Sequence, residues 1–189
     1  GVPYTVEYKI LTDGAIQITP SIDLTGRDLP ELPRFGMRMV LPQNFDNITY
    51  FGRGPWENYS DRNESSFVGL YNDNSKNMFT ANYIRPQENG YRTDVRWLTL
   101  TNNKGNGYHI EGLQPICFSA INHSTEAMDP GLSKKQQHPK DLRPEGSVFL
   151  HIDLNQRGVG GDNSWGQLPH KPYRLEDKKY TYSYVIRLL

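Results

Sequence analysis

Trp165 closes the stretch Gly158-Val159-Gly160-Gly161-Asp162-Asn163-Ser164-Trp165-Gly166, which sets one large aromatic on a polar, glycine-rich loop. Paired glycines let the backbone reach positive φ, and Asp162 and Asn163 tolerate such geometry while offering hydrogen-bonding groups. This chemistry suits a sugar: an indole offers a flat apolar face to the C–H side of a pyranose, and a neighbouring carboxylate and amide can take its hydroxyls. The competing reading makes Trp165 a core plug whose indole N–H caps a carbonyl. A second dense loop, 52–62, carries Trp56, Glu57, Asn58 and Tyr59, and a third, 83–90, carries Arg85, Gln87, Glu88 and Asn89. The 52–62 loop reads either as a binding loop on a rigid scaffold or as an Ω-loop packed by its own aromatics. In the binding reading it is a flap hinged at Gly54.

Glycoside hydrolysis needs two carboxyl groups roughly 5 to 9 Å apart. Glu57, Glu88 and Asp162 are the loop carboxylates that could serve, although a hydrogen-bonding or loop-fixing role fits each as well. No catalytic pair is identified. There is no G-x-S-x-G elbow and no P-loop, and Cys117, the only cysteine, sits in an apolar segment that suits a buried, inert thiol. The histidines at 109, 123, 138, 151 and 170 show no helical pairing, so no metal or cofactor site is expected; His151 reads as a cross-strand partner.

The elements that must position these loops are strands. Tyr4, Val6, Tyr8 and Ile10 alternate with Thr5, Glu7 and Lys9, predicting a half-buried strand over 2–10. Thr12-Asp13-Gly14 turns it into a second strand over 15–24, where Pro20 suggests an edge or a bulge. Further strands are expected over 35–41, 48–51, 67–71, 93–101, 108–111, 116–121, 148–154 and 180–188. Residues 75–81 form a helical turn, and the only helix of note lies at 124–128. The polar run 122–144, with Lys134-Lys135-Gln136-Gln137-His138, is a surface excursion. Short alternating strands with almost no helical period predict an all-β, large antiparallel sandwich formed by 1–189 as one domain.

The 189 residues carry 21 basic and 21 acidic side chains, so no electrostatic footprint for nucleic acid or an anionic membrane exists. No apolar run approaches the roughly 20 residues that span a bilayer. The chain is therefore read as soluble, its compartment left open between cytoplasm and periplasm. Gly1 in place of a methionine suggests a processed piece.

The three loops, Tyr50 to Arg62, Tyr83 to Trp97 and Gly158 to Gly166, occur in an order that resembles the C-terminal, galactose-mutarotase-like domain of large bacterial β-galactosidases of glycoside hydrolase family 2. The similarity runs over essentially the whole chain. It implies a β-sandwich placed last in a multidomain enzyme that hydrolyses terminal β-galactosides with retention. In that family the residue matching Trp165 reaches the active site of a neighbouring barrel, which holds both catalytic glutamates; nothing here matches those. The resemblance implies Trp165, with Asp162, Asn163 and Glu57, as substrate-binding candidates. Partners would be a galactoside, the other domains of the same polypeptide and a homo-oligomer, with Mg and Na ions bound in other domains. The family's domain is longer at its start, so the first strands of the sandwich are expected to be missing. Two further readings are a structural and assembly domain with no ligand contact, and a carbohydrate-binding or mutarotase-like module; the latter needs a carboxylate facing a histidine across a pocket.

Overall fold

The computed structural model describes residues 2–129, 131, 138–163 and 165–189. Residues 130 and 132–137 of the expected surface excursion, and Ser164, lie outside them. Ten strands follow one another: β1 (Tyr4–Ile10), β2 (Ile16–Asp23), β3 (Arg34–Pro42), β4 (Asn47–Gly54), β5 (Phe67–Asn74), β6 (Arg92–Thr101), β7 (Gly107–Ile121), β8 (Ser147–Gln156), β9 (Lys179–Thr181) and β10 (Tyr184–Leu188). One α-helical turn, α1 (Thr125–Met128), and two 3-10 turns, Pro139–Asp141 and Lys171–Tyr173, interrupt them among the described residues; Ser124 caps α1, its Oγ accepting from Ala127 N at 3.0 Å.

All pairings are antiparallel, and the all-β sandwich expected from the alternation is what forms. β7 is its seam. On one side it pairs with β6; on the other, residues 108–112 pair with β10 and residues 117–121 with β8. The sheet therefore forks: the order β1-β2-β10-β7-β6-β4-β5 makes one layer, and β8 with β3 folds over it. Between them lie Ile18, Tyr50, Leu98, Leu100, Ile110 and Tyr184 from the long layer and Phe35, Leu41, Leu150 and Ile152 from the cover, all buried. Each such side chain contributes roughly 1.5 to 3 kcal/mol on leaving water. Tyr182 joins the layers directly, its hydroxyl donating to Ile152 O at 2.5 Å, with Phe35 edge-on to its ring.

The structure departs from the sequence-based expectation in three places, each for a pairing reason. The strands expected separately at 108–111 and 116–121 are one, because Pro115 falls where neither ladder asks for its missing N–H. The strand expected over 180–188 splits at Tyr182-Ser183, where the Gln114 side chain replaces a ladder partner: Ser183 N donates to Gln114 Oε1 and Gln114 Nε2 to Ser183 O. Pro20 lies not on an edge but between the part of β2 paired with β10 and the part paired with β9.

β1 pairs only with β2, β3 only with β8 and β5 only with β4 among the described residues. The expected buried face of β1 is largely exposed, Ile10 at 79% and Tyr8 at 61%; the cover meets its start, where the Tyr4 hydroxyl donates to Met37 Sδ at 2.9 Å.

Candidate functional site

The 52–62, 83–90 and 158–166 loops meet, and two carboxylates of the first are the fasteners. Glu57 accepts from Arg62 Nη2 at 2.9 Å and from the Tyr83 hydroxyl through Oε1, and from Gly90 N at 2.9 Å through Oε2. The first loop is thereby sewn to the second. Asp61 Oδ2 accepts from Gly160 N at 2.7 Å, and a Cβ added at Gly158 would stand 2.5 Å from the same oxygen. Close approach to Asp61, not turn geometry, is what demands glycine at 158.

Asn58 is fully buried and spends its whole amide on the backbone around it. Nδ2 donates to Trp56 O at 2.9 Å and Arg53 O at 3.2 Å, while Oδ1 accepts from Thr93 N at 3.0 Å and Thr93 Oγ1 at 2.6 Å. Tyr59 is buried beside Tyr91, the rings stacked at 5.5 Å, and Arg62 lies over its other surroundings at 4.9 Å from the centroid. Burial pushes both phenols far up from their ordinary value. The Ω-loop reading thus holds for Tyr59. It fails for Trp56, which is 71% exposed. Gly54, expected as a hinge, is required by packing: a Cβ there would meet Tyr50 Oη at 2.2 Å.

Trp165 is 93% exposed, which removes the core-plug reading. Its N–H donates to Asn163 Oδ1 at 2.8 Å, an Asx turn, and Gly166 follows at φ +94°. Asp162 Oδ1 pairs with His170 Nε2 at 2.8 Å; both are exposed and belong to the same loop region, so they do not face one another across a pocket. Asp162, Asn163 and Glu57 are therefore all occupied in shaping loops, and Trp165 alone of the four candidates presents an unengaged surface.

Beneath the loops lies a charged cluster that sequence reading missed. Arg34, at the start of β3, donates to Glu88 Oε2 and Gln156 Oε1 at 2.6 Å each and to His151 Nδ1 at 3.0 Å, and its Nε faces Asp153 Oδ2 at 3.0 Å. It ties the 83–90 loop to the sandwich. Its partners stand 54 to 122 residues away, so no local spacing announces it. Only the alternation of β8, which puts His151 and Asp153 on one face, gave a hint. Burial raises the Asp153 carboxyl to about 7 against the opposing pull of Arg34. Burial, reinforced by Arg34 and Arg38, lowers His151 to about 3. Cys117 is buried nearby and burial drives its thiol up to about 12, matching the inert role expected. Among the described residues, no group of three or more His, Cys, Asp or Glu could hold a metal ion.

The family model for the β-galactosidase small chain matches residues 1–186. The chain is 36% identical to a β-galactosidase of Priestia megaterium over 185 residues, 97% of this chain and 17% of the relative. It is 34% identical to a β-galactosidase of Vibrio cholerae over 181 residues, 96% of this chain and 16% of that protein. With the β-galactosidase BgaC of Bifidobacterium adolescentis the identity is 32% over 177 residues, 90% and 16% of the two chains. The chain thus spans about a sixth of the length of these curated relatives.

Proposed function

The chain belongs to the β-galactosidase small-chain family, and from that premise we propose that it serves a retaining hydrolase of terminal β-galactosides by presenting Trp165 as an apolar wall for the sugar. The carboxylates that break the bond, and the Mg and Na ions of the enzyme, belong to other domains of the same polypeptide. The observation that carries the reading is the exposure of Trp165 on a loop held by Asp61 and Asn163. An indole left 93% exposed on a loop held by fixed hydrogen bonds keeps its flat apolar face open to a sugar. Asp162, Asn163 and Glu57 act as positioning residues. With Asn58 pinning Trp56 O and Arg53 O, the 52–62 loop works as a fixed platform instead of a flap.

The contribution to catalysis is placement, since a sugar misaligned by about 1 Å forfeits much of the advantage of being bound. In the full-length polypeptide, Trp165→Ala lowers kcat/KM for lactose by about a hundred-fold with the melting temperature unchanged. Kinetics equal to the parent enzyme would refute the assignment.

A scaffold role runs alongside. Tyr8 and Ile10 on the open strand β1, and Leu188 at the end of β10, are exposed apolar residues suited to burial against other domains or subunits. Among the described residues no helix is long and apolar enough to cross a membrane.

A further inference from the structure

The loop 52–62 buries its tyrosine and leaves its tryptophan in water, an inversion that packing alone does not require. Tyr59 is 1% exposed and stacked on Tyr91; Trp56, three residues earlier, is 71% exposed and makes no ring contact among the described residues. Its backbone is not loose. Asn58, wholly buried, donates to Trp56 O at 2.9 Å and is itself held from the Oδ1 side by both Thr93 donors. The chain commits a desolvated amide to fixing the carbonyl of an exposed indole.

Trp165 is presented the same way: an asparagine side chain, Asn163, takes its N–H, and the indole stands free. The two loops are joined at one point, Asp61 Oδ2 to Gly160 N, which lies five residues after Trp56 and five before Trp165. The backbones that carry the two indoles are thus held and their loops fastened together, so little backbone freedom is left there to lose on binding.

We infer that Trp56 is a second stacking surface, so that the site takes carbohydrate of at least two rings, one ring to each indole. The inference rests on the sugar-contact reading of Trp165. It assigns Trp56 a specificity role: a pyranose leaving group is recognised by its C–H face, whereas a leaving group without a ring gains nothing from Trp56.

The test compares lactose with methyl β-galactoside in the full-length polypeptide carrying Trp56→Ala, Trp56→Phe or Trp165→Ala. Trp56→Ala is expected to lower kcat/KM for lactose by about ten-fold while changing that for methyl β-galactoside by less than about two-fold, and Trp56→Phe to restore most of the loss. Because the side chain is exposed, neither change disturbs the fold, and an unchanged melting curve accompanies both. Equal losses on the two substrates, or none on either, with Trp165→Ala still impaired, would overturn the role of Trp56 alone. No loss in Trp165→Ala would overturn the sugar-contact reading, and the inference with it.

Discussion

Asp153 and His151 share the Arg34 guanidinium, and their titrations pull stability in opposite directions. The Asp153 carboxyl, buried and raised from 3.8 to about 7, keeps its proton in the folded protein where the unfolded chain has lost it. Its contribution therefore falls as pH rises from about 4 to about 7. His151, lowered from 6.5 to about 3, stays neutral in the folded protein where the unfolded chain is charged. That contribution rises as pH climbs from about 3 to about 6.5, so the two offset one another over most of the window. Glutamine at 151 can still accept from Arg34 but cannot titrate. His151→Gln is accordingly expected to be more stable relative to the parent at about pH 4.5 than at about pH 7.5, read from urea midpoints; the same difference at both pH values would contradict the assignment. Little of this is legible in the sequence. His151 was readable as a cross-strand residue from the alternation of β8, but Arg34, Glu88 and Gln156 reach it only through the tertiary fold.

Strands are where local pattern and final structure agree best, since period-two alternation and turn glycines are properties of a few adjacent residues. β2, β3, β6 and β8 fall within two residues of their expected bounds. The disagreements arise where a partner decides: β7 continues through Pro115 because no ladder there needs its N–H, and β1 is bare at Tyr8 and Ile10 although Met37 of the cover meets Tyr4. Loops behave differently. Their composition announced the 52–62, 83–90 and 158–166 segments, but not that Glu57 and Asp61 would fasten them or that Asn58 would be the buried anchor. At this scale Asn58→Ala is the informative change. Truncation strands two donors of Thr93 and two backbone carbonyls, at about 1 to 3 kcal/mol for a buried polar group left unpaired. A loss of about 3 kcal/mol in unfolding free energy is expected. A loss below about 1 kcal/mol would mean that the loop stands without its anchor.

At the scale of the molecule the chain is a forked β-sandwich whose interior is closed and whose far edges are not. β1, β3 and β5 each lack a partner on one side among the described residues, and exposed apolar side chains collect along β1 and β5. A sheet left with such edges is a template for association unless something covers it. The chain spans about a sixth of the length of its relatives, and in the proposed function those edges pack against the rest of the polypeptide while the loops face the ligand. The fold holds its loops still through Glu57, Asn58 and Asp61. In the proposed function Trp165 is the residue that meets the sugar, and an exposed indole reports its own surroundings. The decisive measurement is an equilibrium titration of the full-length polypeptide with lactose, following tryptophan emission in the parent and in Trp165→Phe under conditions where turnover is blocked. A saturable change is expected in the parent that is reduced in Trp165→Phe, which keeps a ring for the sugar but loses the Trp165 signal and leaves only what Trp56 contributes. The same change in both proteins would place the sugar away from Trp165 and contradict the account.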